Sequence, residues 1–287
     1  MVVTILLVSL AIIASLFTTV LLMQAYQRQQ LKPNPEAVVL GAVTNFFDTL
    51  GIGSFAPTTA WLKLRALVPD SFIPATLTTG HALPTIAQAF IFIQLIQVDP
   101  LLLVVCIGCA VLGAIVGAPL VAKLSVRVVQ GFVGVAMVVA AALYALANLN
   151  MLPIGGQALA LTTPWLIVAA MTHFLLGALM TFGIGMYAPS LILLSLMGLN
   201  PTAAFPIMMG SCAFLMPVGG LRFARAERID LRIVLGLAIG GIPAVLLAAY
   251  VVKSLPLTAL RWGVVVVVIY AAILLLRSAT SKAIKSK

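Results

Sequence analysis

Charge is what this sequence has least of. Only 8% of its 287 residues are charged and six are acidic, against roughly 25% charged residues in soluble chains. That scarcity excludes a soluble domain, which needs a polar shell. Cysteine is nearly as rare: Cys106, Cys109 and Cys212 all fall inside apolar runs, so no disulfide framework of the secreted kind is implied. No nucleotide-binding motif, metal-ligand cluster or catalytic triad pattern occurs, and neither an enzyme nor a bound cofactor or metal is expected. What the chain has in abundance is apolar length. Hydrophobic residues make up 63% of it and the mean hydropathy is +1.24, in successive runs of about 20 residues, each able to cross a bilayer core of about 30 Å. The composition predicts an all-α polytopic membrane protein.

The net charge of +10 is the excess of sixteen Lys and Arg over the six acidic residues. The basic residues sit in short loops between apolar runs, which is topology information rather than a nucleic-acid-binding patch. Arg222, Arg225, Arg228 and Arg232 form the most basic loop, explained by orientation and anionic headgroups. Seven runs read as full crossings: Val2 to Met23, Ser71 to Ile96, Leu101 to Ala122, Val128 to Leu149, Ala203 to Leu221, Ile233 to Val252, and Trp262 to Leu276. The first lacks the basic start and the small-residue cleavage site of a signal peptide, and is expected to be a retained spanning helix.

Two more apolar stretches, Ala37 to Leu62 and Pro164 to Gly198, are each interrupted by Gly-Ile-Gly, which favours a break because glycine is a poor helix former. The interruptions match: Gly51-Ile-Gly-Ser-Phe-Ala-Pro57 and Gly183-Ile-Gly-Met-Tyr-Ala-Pro189 share five of seven residues at a spacing of 132. Pro69 and Pro74 fall on Pro201 and Pro206 at that spacing, Asp99 on Asp230 at 131, and Val121-Ala-Lys123 on Val251-Val-Lys253 at 130. The chain is an internal duplication.

Cytoplasmic loops are enriched in Lys and Arg. If each Gly-Ile-Gly stretch crosses once, Lys63, Arg65, Lys123, Arg127, Lys253 and Arg261 lie outside. If each is a re-entrant hairpin, only Lys253 and Arg261 do, and the uncharged loop from Asn150 to Thr163 is external. The second arrangement fits better. It gives seven spanning helices plus two re-entrant broken-helix hairpins, with the amino terminus outside and the carboxyl terminus cytoplasmic. The predicted organisation is residues 1–36 as a first helix and cytoplasmic loop, 37–149 as the first repeat, 150–163 as an external linker and 164–287 as the second repeat with a basic tail. One hairpin and three crossings per repeat make the repeats inverted, as in many secondary transporters.

Non-helical backbone at membrane depth is tolerated only where protein or a water-filled cavity satisfies it. The breaks therefore mark the expected cavity, where helix amino termini would present N–H groups to a small anion. Gly51, Gly53, Ser54, Gly183, Gly185 and Met186 are the expected backbone donors, with Thr78, Thr79 and Ser211 adding hydroxyls. Packing of small residues is the plainer reading of the glycines. Asp48 stands before the first break in an uncharged stretch, with Met180 at its place in the second repeat; it reads either as a gating or proton-coupling group or as a cap for the broken backbone. His81, opposite Ala213 in the duplication, reads as a buried neutral imidazole held by a hydroxyl, or as a proton donor facing Asp48. His173 reads as structural. Cys106 and Cys109 have C-x-x-C spacing, but sit inside a spanning run, where small packing residues explain them more simply than thiol redox chemistry.

With the duplicated Gly-Ile-Gly element, the proline after each, and the stretch Ala224-Arg-Ala-Glu-Arg-Ile-Asp230 leading into Leu235-Gly-Leu-Ala-Ile-Gly-Gly-Ile-Pro243, the chain resembles the TauE/SafE sulfite exporter permeases. The resemblance covers roughly Ala37 to Leu276. It implies a bacterial inner-membrane transporter of small sulfur-containing anions such as sulfite, thiosulfate or a sulfonate like sulfoacetate. Family breaks are usually richer in glycine, of the form Gly-Ile-Gly-Gly-Gly; here Ser54-Phe55 and Met186-Tyr187 follow the triplet. The expected partners are the anion, the bilayer and protons as coupling ion. Alternatives are an anion channel or a thiol redox protein; direction of transport and oligomeric state stay open.

Overall fold

The computed structural model of the protein describes residues 1–51, 53–117, 156–181, 183–225, 229–254 and 257–280, with scattered positions between 131 and 151. Among the described residues the chain is helical, and its β-structure is one isolated bridge, Ala158 to Leu199. The helices are α1 (Val2–Gln27), α2 (Pro35–Thr49), α3 (Phe55–Leu64), α4 (Ile73–Gly80), α5 (Ala82–Leu95), α6 (Pro100–Leu112), α7 (Thr163–Met180), α8 (Tyr187–Leu196), α9 (Pro201–Arg225), α10 (Leu231–Ser254) and α11 (Leu257–Thr280). Four of the described helices, α1, α7, α9 and α10, contain segments long and apolar enough to cross a membrane.

Both Gly-Ile-Gly stretches break the helix. Gly51 and Gly53 adopt φ of 93° and 87°, and Gly183 adopts 80°. These left-handed angles are open to glycine and strained for other residues, so α2 ends before the first break and α7 before the second. The run from Ser71 to Ile96, expected as one crossing, is instead a short 3-10 turn, Asp70–Phe72, followed by α4 and α5, which meet at His81. Pro84 is the physical reason: it has no N–H to give the carbonyl four residues back, at Gly80. The run after Leu101 is α6 up to Leu112 and π-helical over Gly113–Gly117. The crossing expected over Val128 to Leu149 lies largely outside the described residues, as do Arg228 and the basic residues after Thr280. α9 runs through Pro206 and Pro217.

Equivalent helices begin alike. Asp99 Oδ2 accepts from the Leu102 N–H at 2.9 Å at the start of α6, and its counterpart Asp230 accepts from the Arg232 N–H at 2.9 Å at the start of α10. Such caps satisfy N–H groups that have no partner within the helix.

Packing crosses between the duplicated units. The first arm of the first hairpin, α2, lies along α10 of the second unit, and the corresponding arm α7 lies along α6 of the first. Both crossings are backbone-close. A Cβ on Gly41 would run into the Leu237 carbonyl, and one on Gly240 into that of Val38; on the other side, Gly177 meets the Ala110 carbonyl and Gly113 that of Phe174. Small residues allow this approach between apolar helices. At the centre, α4 and α5 pack on α9, with Phe92 and Phe205 stacked at 5.5 Å. Apolar side chains cover the outer faces, among them Leu246, Leu247 and Tyr250 of α10 and Trp165, Ile167 and Met171 of α7, a surface suited to lipid.

Candidate functional site

The two breaks face one another. A cavity of about 60 Å³ lies between them, lined by Gly53, Phe55 and Ala56 from one and by Gly183, Gly185 and Tyr187 from the other. Beside it is a smaller space of about 20 Å³, lined among others by Asp48, Ser54, Met180, Met186, Tyr187 and Cys212; it has room for roughly one water-sized group.

Asp48, the last residue but one of α2, is buried. Its Oδ1 accepts from the Ser54 N–H at 2.6 Å, across the break. The carboxylate thus takes a backbone donor at the amino end of α3, where a helix favours negative charge. Its Oδ2 accepts from Gln88 Nε2 at 2.9 Å, and the same amide nitrogen donates to Thr49 Oγ1 at 3.0 Å. Gln88 Oε1 in turn accepts from the Tyr187 hydroxyl at the first position of α8. Met180, at the corresponding place in the second hairpin, lies 3.6 Å from Cys212 through its sulfur.

His81 does not face Asp48. Its Nδ1 pairs with Asn45 Oδ1 at 3.0 Å and its Nε2 with Thr58 Oγ1 at 3.0 Å. Because Asn45 Nδ2 is spent on the Gly41 carbonyl, its Oδ1 faces the ring and can only accept. Nδ1 therefore carries the proton, and Nε2 accepts from the Thr58 hydroxyl. His173 makes the same kind of link. Its Nδ1 donates to the Ala169 carbonyl at 2.9 Å, and its Nε2 accepts from Ser190 Oγ at 2.9 Å. Thr58 and Ser190 are 132 residues apart, the spacing of the duplication. In both hairpins a neutral imidazole joins the two arms.

The structure brings Gly53, Ser54, Gly183, Gly185 and Met186 to the cavities. Several expected donors are occupied by protein. The Gly51 N–H donates to the Asp48 carbonyl, the Gly183 N–H to the Met180 carbonyl, and Ser54 to the Asp48 carboxylate. Gly51 faces Leu191 and Phe205 rather than open space. Thr78, Thr79 and Ser211 are buried hydroxyls that line neither cavity; Thr78 and Thr79 pack where α4 meets Gly219 and Gly220 of α9. Sequence reasoning missed Asn45, Thr58, Gln88, Tyr187 and Ser190. The 132 spacing held the signal for the Thr58 and Ser190 pair. Cys106 is buried and Cys109 half-buried, both as free thiols.

At the cytoplasmic mouth expected for the first hairpin, Arg65 Nε and Trp61 Nε1 donate to Glu36 Oε1 at 2.8 and 2.9 Å, tying the end of α3 to the start of α2. The Arg65 hydrogen bond holds the Glu36 carboxyl below its ordinary range.

Two helix breaks thus face one another under an apolar outer surface. Residues 165–287 match the family model described as Sulfite exporter TauE/SafE. The TauE/SafE match begins in α7 and takes in the second hairpin and the helices after it; the first unit is tied to it by the 132-residue likeness. Together with the spanning helices, the TauE/SafE match indicates a multi-pass membrane protein. Neither curated proteins nor solved structures match the chain.

Proposed function

We propose that the chain is a secondary carrier of a small sulfur-containing oxyanion, sulfite, thiosulfate or a sulfonate such as sulfoacetate. The anion sits between the two breaks, and inverted repeats of one re-entrant hairpin and three crossings expose it alternately to the two sides. One observation carries this reading: the two Gly-Ile-Gly breaks line a common cavity, at the place where each duplicated unit presents a helix amino terminus. Gly53, Gly185 and Met186 supply N–H donors there. Ser54 is shared with Asp48, so the anion and the Asp48 carboxylate compete for one donor, and a proton on Asp48 would favour the anion. The protein lies in a bacterial inner membrane, with its amino terminus outside and its carboxyl terminus in the cytoplasm.

Counterflow in proteoliposomes tests the reading, with labelled sulfite, thiosulfate and sulfoacetate each run against unlabelled excess, and acetate and chloride as controls. Saturable exchange of a sulfur anion is expected. Flux without counterflow would identify a channel, and no movement of any sulfur anion would overturn the substrate class.

A further inference from the structure

Gln88 is a fully buried amide whose two ends have different partners. Its Nε2 donates to Asp48 Oδ2 and Thr49 Oγ1 on the first hairpin, and its Oε1 accepts from Tyr187 on the second. The orientation is fixed. Thr49 donates its own proton to the Asn45 carbonyl at 2.8 Å, so toward Gln88 it offers only a lone pair, as does the Asp48 carboxylate. A flipped amide would set its oxygen against both. Asp48 thereby determines which way Gln88 points, and Gln88 holds the Tyr187 hydroxyl.

Tyr187 opens α8 directly after the second break and lines both cavities. A chain of side chains therefore runs from the first break to the second through α5, the central helix. Its mirror image is absent: the duplication puts Met180, Gly220 and Phe55 at the places of Asp48, Gln88 and Tyr187. The duplicated fold is thus complete on the other side without such a link, so this one is an addition to the scaffold.

We propose that Asp48, Gln88 and Tyr187 form a one-sided latch that ties the two breaks together and keeps the cavity between them closed, with Gln88 as the positioning residue. The proposal rests on the carrier reading for its purpose, but its geometry can be tested without transport. Cys212 is a native reporter: it is buried and lines the smaller cavity. In full-length protein in proteoliposomes, with Cys106 and Cys109 replaced by serine, the rate at which N-ethylmaleimide alkylates Cys212 reads how often the latch opens.

Y187F removes one hydroxyl and keeps the ring, and Q88L removes the amide. Y187F is expected to raise the alkylation rate about three- to tenfold, the weight of one lost hydrogen bond, Q88L, which removes three, at least as much, and the double variant no further than the larger single effect, because both break one connection. D48N is expected to act like Q88L. D48N/Q88E, which moves the carboxylate to position 88 where it accepts from the new amide and from Tyr187, with the Thr49 hydroxyl turning from the Asn45 carbonyl to donate to it, is expected to return the rate toward wild type. An unchanged rate in Y187F would overturn the latch, as would effects of Y187F and Q88L that multiply. If Q88L fails to fold, Y187F and the D48N/Q88E rescue still decide. Failure of wild-type counterflow would remove the carrier reading and leave the alkylation result standing.

Discussion

In the first hairpin the imidazole that joins the arms comes from outside, from His81 between α4 and α5, whereas in the second it comes from His173 within the first arm. The hydroxyl that receives it is at the equivalent place in both, Thr58 and Ser190. Gly41 occupies the place of His173 in the first unit and Ala213 that of His81 in the second. Two routes thus deliver the same bond, a neutral Nε2 accepting from a hydroxyl on the second arm. What this teaches is that the arms are held together irrespective of which side chain does it. By contrast, the Asp48 link is made on one side only.

The most damaging way to break the likeness is to attack a feature both hairpins share, the backbone-close crossing with the opposite unit, made by glycines at different places in the two. Gly177→Ala and Gly240→Ala each place a methyl against a carbonyl of the facing helix. Overpacking of this kind costs about 1–3 kcal/mol and more where backbone must shift. Both variants should therefore lose thermal stability in detergent to a similar extent; a large loss in one alone would show that the two crossings are not equivalent.

The histidines should differ. H81A strands two buried groups on two elements, Asn45 Oδ1 and Thr58 Oγ1, and is expected to cost about 2–4 kcal/mol. H173A strands chiefly Ser190 and is expected to cost about 1–2 kcal/mol by the same reasoning. Denaturation midpoints of the two variants measure the difference, and equal losses would mean that Asn45 contributes nothing.

The smallest effect is expected at the mouth of the first hairpin. E36Q removes the pairing with Arg65, which is solvent-exposed and worth little. Glu36 has its carboxyl lowered in the folded protein, so its contribution is present above the ordinary carboxylate range and is lost as pH falls through the lowered value. The melting difference between wild type and E36Q should be slight at neutral pH and vanish in acid.

The breaks could be read from the sequence because their cause is local: Gly51, Gly53 and Gly183 need left-handed angles, and a glycine and a proline advertise them in any context. That α3 and α8 begin at the centre, directly after the breaks, could be inferred from the duplication. The rotation of each helix about its axis could not. α4 is apolar or hydroxyl-bearing all round, so nothing in its periodicity says that Thr78 and Thr79 turn toward α9 instead of the cavity. His81 could be marked as a buried imidazole satisfied by a hydroxyl, but its partners lie 23 and 36 residues away, and its expected neighbour Asp48 went to Gln88. Tyr187 and Gln88 are 99 residues apart; a pairing that depends on how two units dock leaves no trace in either one.

The exchange of arms between units also sets a timetable for synthesis. α2 leaves the ribosome early, yet its long-axis neighbour α10 begins only at Leu231. At ~5–20 residues per second, the chain between Thr49 and Leu231 takes on the order of ten to forty seconds to appear. During that interval the face of α2 around Gly41 lacks the helix that packs backbone-close on it, and α6 likewise precedes α7. These two close-packing faces stay open until the second half arrives, so the first half emitted alone is a nascent-chain client rather than a finished module.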